Sequence, residues 1–401
     1  MQQIFAELFS GVVDMVSIAG LKSLVMFVIA GVLIYLAIKK DYEPTLLLPI
    51  GFGCILANLP GAIDAVTGLK APAALGEAGF LSVLFNAGIA NELFPVLIFI
   101  AVGAMIDFSP LLKDPSMIFF GAAAQFGIFA TFLLSLVLIP IIPGLVAEGD
   151  QDMVLKLASA IGIIGAADGP TTLFVANHFQ LKDYMGPISV AAYSYMALVP
   201  VIQPPVIKAL TTKKERMIRM DYQEERCSKT TLILFPIIVT IVAGIIVPMS
   251  APLVGSLMFG NLIRECGVLN SLSDCAQNVL ANLITIFLGI TISCQMQADK
   301  FLNPETLMIL GLGLFAFIFD TAGGVMFAKL MNLFLPKGKK VNPMIGACGI
   351  SAFPMSSRVI AKMAIAEDKS NFILMQAAGV NVGGQVASVI AGGLILNLIA
   401  R

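Results

Sequence analysis

The chain has 401 residues, of which 58% are hydrophobic and 12% charged, with a net charge of −1 and a mean hydropathy of +0.94. A soluble domain carries about twice that share of charge, so the chain reads as an integral membrane protein. The near-neutral balance leaves no field for nucleic acid, and one histidine with six unspaced cysteines (Cys54, Cys227, Cys266, Cys275, Cys294 and Cys348) nearly excludes a transition-metal site.

In chain order, residues 2–18 place Phe5, Phe9, Val12, Val13 and Val16 on one helical face. The segment 1–22 reads as an amphipathic helix at the membrane surface, or else as the start of the first span. No Lys or Arg precedes Lys22, so a cleaved signal peptide is not expected. Charge-free runs then follow at 23–38, 45–63, 116–147, 185–207, 230–263, 275–298 and 370–400. A helix needs about 20 apolar residues to cross a bilayer. The runs predict about nine to twelve crossings and re-entrant pieces. Pro248 and Pro252 favour a break in the 230–263 run. The short alternating strands of an outer-membrane barrel are not seen. The expected fold is all-α and polytopic.

The stretch at 208–229, "KALTTKKERMIRMDYQEERCSK", divides the chain near its middle. Its Lys and Arg excess puts it in the cytoplasm. It is read as a linker between a first membrane repeat, 23–207, and a second, 230–401. One pattern occurs on both sides of it. "GIIGAADGP" runs from Gly162 to Pro170, and "GACGISAFP" runs from Gly346 to Pro354. Both read G-x-x-G-x-x-x-x-P, with Gly165 and Gly349 as the second glycines. The first copy follows the acidic "PGLVAEGDQDM", and the second follows the basic "PKGKKVNP". By the same basic-residue rule the copies enter from opposite faces. That is the signature of an inverted repeat, with discontinuous helices meeting near the midplane.

Non-helical backbone at membrane depth is tolerated only where it is buried in protein or lines a cavity. Gly169 and Pro170 would free backbone carbonyls, and Asp168 adds a hard anionic oxygen at the break. Carbonyls plus one carboxylate suit a small hard cation such as Na⁺. The plainer role for Asp168 is capping of the second half-helix, and the two roles coexist. In the second copy Ser351 lies near the place of Asp168, with Asn342 before it and Arg358 after it. Arg358 could pair with Asp168, grip an anionic group, or sit at the membrane edge. Tyr193 and Tyr195, in "AAYSYMALVPVIQPP" with Gln203, are candidate proton donors. Asn381 and Gln385 lie in a small-residue helix suited to close packing. Asp320, in "FDTAGG", is another buried acid, ranked below Asp168 because no Pro break adjoins it in sequence. Asp107 and Glu92 are expected at span ends, and His178 at an interface.

"GAADGPT" (165–171), "AAYSYMALVPVIQPP" (191–205) and "VNPMIGACGISAFPMSSRV" (341–359) resemble the membrane β subunits of sodium-pumping biotin-dependent decarboxylases, which act on oxaloacetate, methylmalonyl-CoA or glutaconyl-CoA. The resemblance covers nearly the full length. It implies a multi-pass subunit of the prokaryotic inner membrane that decarboxylates carboxybiotin, consumes a proton and drives Na⁺ outward. It implies partners: a soluble carboxyltransferase, a biotin carrier and a small single-span subunit, with several β chains per complex. Biotin would be carried on a partner. The resemblance assigns Asp168, Tyr193, Tyr195 and Arg358 to the chemistry, with Tyr195 as the proton carrier. It assigns Asp168, Ser351, Asn342 and Asn381 to Na⁺. Gly165, Gly169, Pro170, Gly346, Gly349 and Pro354 are the structural breaks. Without the motifs, a stand-alone Na⁺-coupled transporter of an organic anion would fit equally well.

Overall fold

A computed structural model describes residues 18–41, 44–59, 62–63, 70–71, 80–142, 145–147, 149–181, 184–220, 227–293, 296–336 and 338–399. The expected N-terminal segment lies almost wholly outside the described residues, as do Cys294 and part of the basic linker. The helices are α1 (Ile18–Lys40), α2 (Pro44–Asn58), α3 (Phe80–Gly88), α4 (Leu93–Met105), α5 (Met117–Ala124), α6 (Phe126–Leu138), α7 (Gln151–Ile163), α8 (Gly169–His178), α9 (Met185–Ala197), α10 (Val199–Leu210), α11 (Lys229–Ile246), α12 (Ala251–Glu265), α13 (Ala281–Ser293), α14 (Pro304–Phe334), α15 (Met355–Glu367) and α16 (Leu374–Ile399). Short 3-10, π and single-turn pieces join them. The strands among the described residues form one two-residue ladder, Ala62–Ile63 against Lys70–Ala71.

Six helices are long and apolar enough to cross a membrane among the described residues, and α9 with α10 makes a seventh span bent by 69°. The shorter apolar helices α2 and α4 complete the set. The protein is therefore all-α and multi-pass. The three runs of 31 or more charge-free residues have different outcomes. Pro248 sits in a 3-10 turn that separates α11 from α12. The 116–147 run is interrupted at Gln125, between α5 and α6. The 370–400 run lacks Pro, and it forms the unbroken α16.

Capping residues set several helix starts. Asn303 Oδ1 accepts the Thr306 amide at 2.7 Å and opens α14, with Pro304 in the first turn. Asp150 and Ser228 do the same for α7 and α11. Such caps are each worth about 1 kcal/mol. In the bilayer, helices attract one another through close packing. A Cβ on Gly103 of α4 would lie 1.9 Å from the Leu257 carbonyl oxygen of α12, and one on Gly260 of α12 would lie 2.0 Å from that of Ile100. These two helices meet backbone to backbone.

The described part of the linker is strapped to the second half. Arg216 Nε pairs with Glu367 at 2.7 Å, and Arg219 Nε with Asp368 at 2.8 Å. Lys329 reaches Glu215 at 3.2 Å and donates to the Leu210 carbonyl at 3.0 Å. Asn342 Nδ2 donates to the carbonyls of Arg216 at 2.9 Å and Ile218 at 2.8 Å.

Candidate functional site

The first break is a 3-10 turn at Ile164–Ala166, followed by Ala167 in the left-handed region with φ of 52°. An alanine held there costs about 1–2 kcal/mol, so the surroundings must enforce the turn. Asp168 follows as the N-cap of α8, and its Oδ1 accepts the Thr171 amide at 3.0 Å. Pro170, in the first turn, needs no amide partner. Gly169 lies on the ring of Tyr193, and a Cβ there would sit 2.6 Å from the ring. Gly165 packs on α14, where its Cβ would meet Ala316 at 2.7 Å.

The second break is a 3-10 segment, Pro343–Gly349, leading into a bend before α15. The peptide bond before Pro354 is cis. Gly346 and Gly324 of α14 face each other so closely that a Cβ on either would lie 2.0 Å from the other's carbonyl oxygen. The carbonyls that this segment frees are taken by amide side chains from other elements. Gln203 Nε2 of α10 donates to Ala347 O at 2.8 Å. Gln125 Nε2 donates to Gly349 O at 3.1 Å. Asn381 Nδ2 of α16 donates to Cys348 O at 3.2 Å and Ile350 O at 2.7 Å. Ser356 Oγ donates to Gln203 Oε1 at 3.0 Å. The irregular backbone is thus satisfied by protein rather than by lipid, as a membrane interior demands.

The two breaks touch. The Ser351 amide donates to the Ala166 carbonyl at 2.7 Å. The Ser351 hydroxyl donates to Asp168 Oδ2 at 3.1 Å, and the Ser388 hydroxyl of α16 donates to the same oxygen at 2.8 Å. The two hydroxyls are 2.8 Å apart. Asp168 is buried and makes no ion pair among the described residues. It is held instead by one amide and two hydroxyls at the positive end of α8. Three oxygens, one of them formally charged, form a compact triangle there. Such a triangle is one face of a coordination shell for a hard cation.

The other expected residues divide. Tyr193 lies at the first break, with its buried hydroxyl unpartnered among the described residues. Tyr195 turns to α14 and donates to the Leu310 carbonyl. Asn381 anchors the second break, and its buried Oδ1 has no partner among the described residues. Asn342 lies at the linker strap and does not contact Asp168. Arg358 is exposed in the first half of α15 and makes no ion pair among the described residues. It is therefore not the partner of Asp168. Asp107 and Glu92 cap loop amides or contact a neighbouring helix end. His178 ends α8 and lies edge-on to Phe179. Sequence reading missed Ser388, Thr171 and Gln125. Ser388 had a signal: it follows Asn381 by seven residues, two helical turns along the same face.

Fold and site together define a class: a multi-pass membrane protein whose interrupted helices meet at a buried acid. A sequence profile described as the Na⁺-transporting oxaloacetate decarboxylase beta subunit matches residues 22–399. The chain is 43% identical to the oxaloacetate decarboxylase beta chain of Klebsiella pneumoniae, over 95% of this chain and 96% of that one. It is 46% identical to the methylmalonyl-CoA decarboxylase subunit beta of Propionigenium modestum, over 94% of each. A further methylmalonyl-CoA decarboxylase subunit beta, from Veillonella parvula, is 45% identical over 94% of this chain and 93% of that one. The chain belongs to this family, the membrane subunits of sodium-translocating decarboxylases of the bacterial inner membrane.

Proposed function

We propose that the chain binds Na⁺ at the junction of its two breaks and couples its outward movement to decarboxylation of carboxybiotin brought by a partner subunit. The observation that carries this reading is the convergence of Ser351 and Ser388 on Asp168. Na⁺ is the cargo. Asp168 supplies the charge, Ser351 and Ser388 the neutral oxygens, and the unpartnered Oδ1 of Asn381 a further acceptor nearby on α16. When the ion arrives, the hydroxyl protons turn away and the oxygen lone pairs turn inward. Asn342, at the strap, acts on the second break from outside the oxygen triangle.

Decarboxylating carboxybiotin requires a proton for the ureido nitrogen. Tyr193 lies on the first break, and Tyr195, two residues on, lies on nearly the opposite side of α9. Tyr195 is the proposed proton carrier, its hydroxyl donating to the Leu310 carbonyl, and Tyr193 packs on Gly169 beside Asp168. Arg358 is exposed about 14 Å along α15 from the ion-paired Glu367, at 1.5 Å per residue. The guanidinium is free to meet a partner's substrate, and its planar fork suits the carboxylate of carboxybiotin. The biotin carrier, carboxyltransferase and small single-span subunit belong to this proposal, as does the inverted relation of the two halves. The relatives named above favour a decarboxylase subunit over a stand-alone transporter of an organic anion.

The test is sodium uptake into vesicles holding the whole complex, driven by carboxybiotin. Asp168→Asn is expected to abolish both sodium uptake and sodium-dependent decarboxylation. Uptake at the wild-type rate by that variant would sink the assignment.

A further inference from the structure

A second carboxylic acid is buried in the membrane part of the protein, and the proposed pump does not use it. Asp320 lies in the middle of α14 with no exposed surface. Neither of its oxygens has a hydrogen-bond partner among the described residues. Four residues before it, Ala316 supports Gly165 of the first break. Four residues after it, Gly324 meets Gly346 of the second. Each contact is therefore about 6 Å along the helix axis from Asp320.

A third interruption faces it. The chain breaks at Gln125, and the first turn of α6 lies against the acid. A Cβ on Gly127 would be 2.2 Å from Asp320 Oδ1. The backbone amides of Gly127 and Ile128, in the first turn of α6, are the donors nearest the carboxyl, and neither meets it in full hydrogen-bond geometry. Gln125 itself reaches across to Gly349 of the second break. Asp320 is thus the one ionisable side chain on the stretch of α14 that all three interruptions touch.

No cation stands opposite among the described residues. α5 and α6 contain no ionisable residue. The other elements packed against α14 contribute Tyr193 and Tyr195 of α9, Cys348 of the second break, Lys208 at the exposed end of α10, Asp152 with Lys156 of α7, and Asp299 of the short turn before α14, which pairs with Lys22. Lys156 pairs with Asp152, and Lys329 of α14 pairs with Glu215. Asp168 lies beyond Gly165. An ionised carboxylate in such a place lacks both solvent and counter-charge. A neutral acid fits without either.

We propose that Asp320 is a proton-binding site separate from the Asp168 junction, and that its proton keeps α14 seated against the three interruptions. Loss of the proton leaves a bare charge, which calls water or a cation into the seam and parts α14 from α6. Unlike the cation site, this site takes a proton as its ligand. It stands whether or not Asp168 binds sodium.

Infrared spectroscopy of the reconstituted complex tests it directly. At neutral pH the carbonyl band of a protonated carboxyl group is expected in wild type and in Asp168→Asn. It should be insensitive to added sodium, and Asp320→Asn should remove it. If Asp320→Asn fails to assemble, Asp320→Glu keeps the acid and must shift the band. A wild-type spectrum without the band, or a band untouched by both Asp320 variants, would overturn the proposal. Hydrogen exchange reads the mechanical part. After correction for the chemical rate, exchange in residues 124–131 and 316–324 should rise with alkaline pH in wild type and stay flat in Asp320→Asn. Equal pH dependence in the two proteins would refute the seating role.

Discussion

Asn381 offers the sharpest test of how the second break is held. Its side-chain amide donates to two buried carbonyls, Cys348 O at 3.2 Å and Ile350 O at 2.7 Å. Asn381→Leu roughly conserves size and strands both acceptors. Each orphaned buried acceptor costs about 1–3 kcal/mol, or about 2–6 kcal/mol for the pair. Asn381 Oδ1 has no partner among the described residues. Deleting that oxygen therefore relieves a cost already present, and the expected loss falls in the lower half, about 2–4 kcal/mol. At about 1.4 kcal/mol per tenfold, local opening of the break should rise roughly 30-fold or more. Hydrogen exchange of the amides at 343–352 in the assembled complex measures that opening. The sodium concentration for half-maximal decarboxylation should rise in parallel, because Ser351 moves with the break and the proposed Oδ1 acceptor is lost. Wild-type exchange at 343–352 together with a wild-type sodium dependence would refute the anchoring role.

Ser388→Ala removes one oxygen of the triangle and is expected to raise the sodium requirement about tenfold, with the maximal rate largely kept, as measured by decarboxylation against sodium concentration. A fallen maximal rate with an unchanged sodium requirement would count against the ligand role. Gly346→Ala places a methyl group against the Gly324 carbonyl, where neither backbone can yield. The complex should lose about 1–3 kcal/mol or fail to assemble, visible in thermal unfolding. At the strap, the hydrogen bond from Arg219 and the Ser370 amide hold the Asp368 carboxyl below the usual carboxylate range. Its contribution is present above the unfolded value of about 4 and is lost as pH falls through the lowered one. Acidification and Asp368→Asn should both speed proteolysis in residues 211–220, and a variant whose cleavage matches wild type at neutral pH would show that Asp368 does not hold the strap.

Much of the site was legible because a membrane makes polar residues expensive. Asp168, Ser351 and the two Gly–Pro breaks stood out against charge-free surroundings, and they meet in space. Asn381 and Gln203 stood out for the same reason, but their work as anchors for freed carbonyls needs the fold to be seen. Arg358 stood out too, yet a pairing with Asp168 was only one of three readings and is not the one found. Ser388 was hidden because a serine in a small-residue helix is common packing material. Gln125 was hidden because its break carries neither Gly nor Pro at the turn itself. Span ends were readable where Pro intervened, as at Pro248, and less so where a 3-10 turn alone divides a run.

Asp320 shows where sequence distance misleads. Ranked by its neighbours in the chain, it had no helix break beside it. In space it faces the start of α6, which begins after a break nearly 200 residues earlier, and α14 carries it between the contacts with the other two breaks. A helix whose two ends of contact are glycine-to-backbone seams can shift only as a rigid rod, because no flexible side chain there can absorb the displacement. Any movement that separates Gly324 from Gly346 must therefore also disturb Asp320 against Gly127. The Asp168 junction and the buried acid thus pack on one short stretch of the same rigid helix, which neither chain neighbours nor motif spacing reveals.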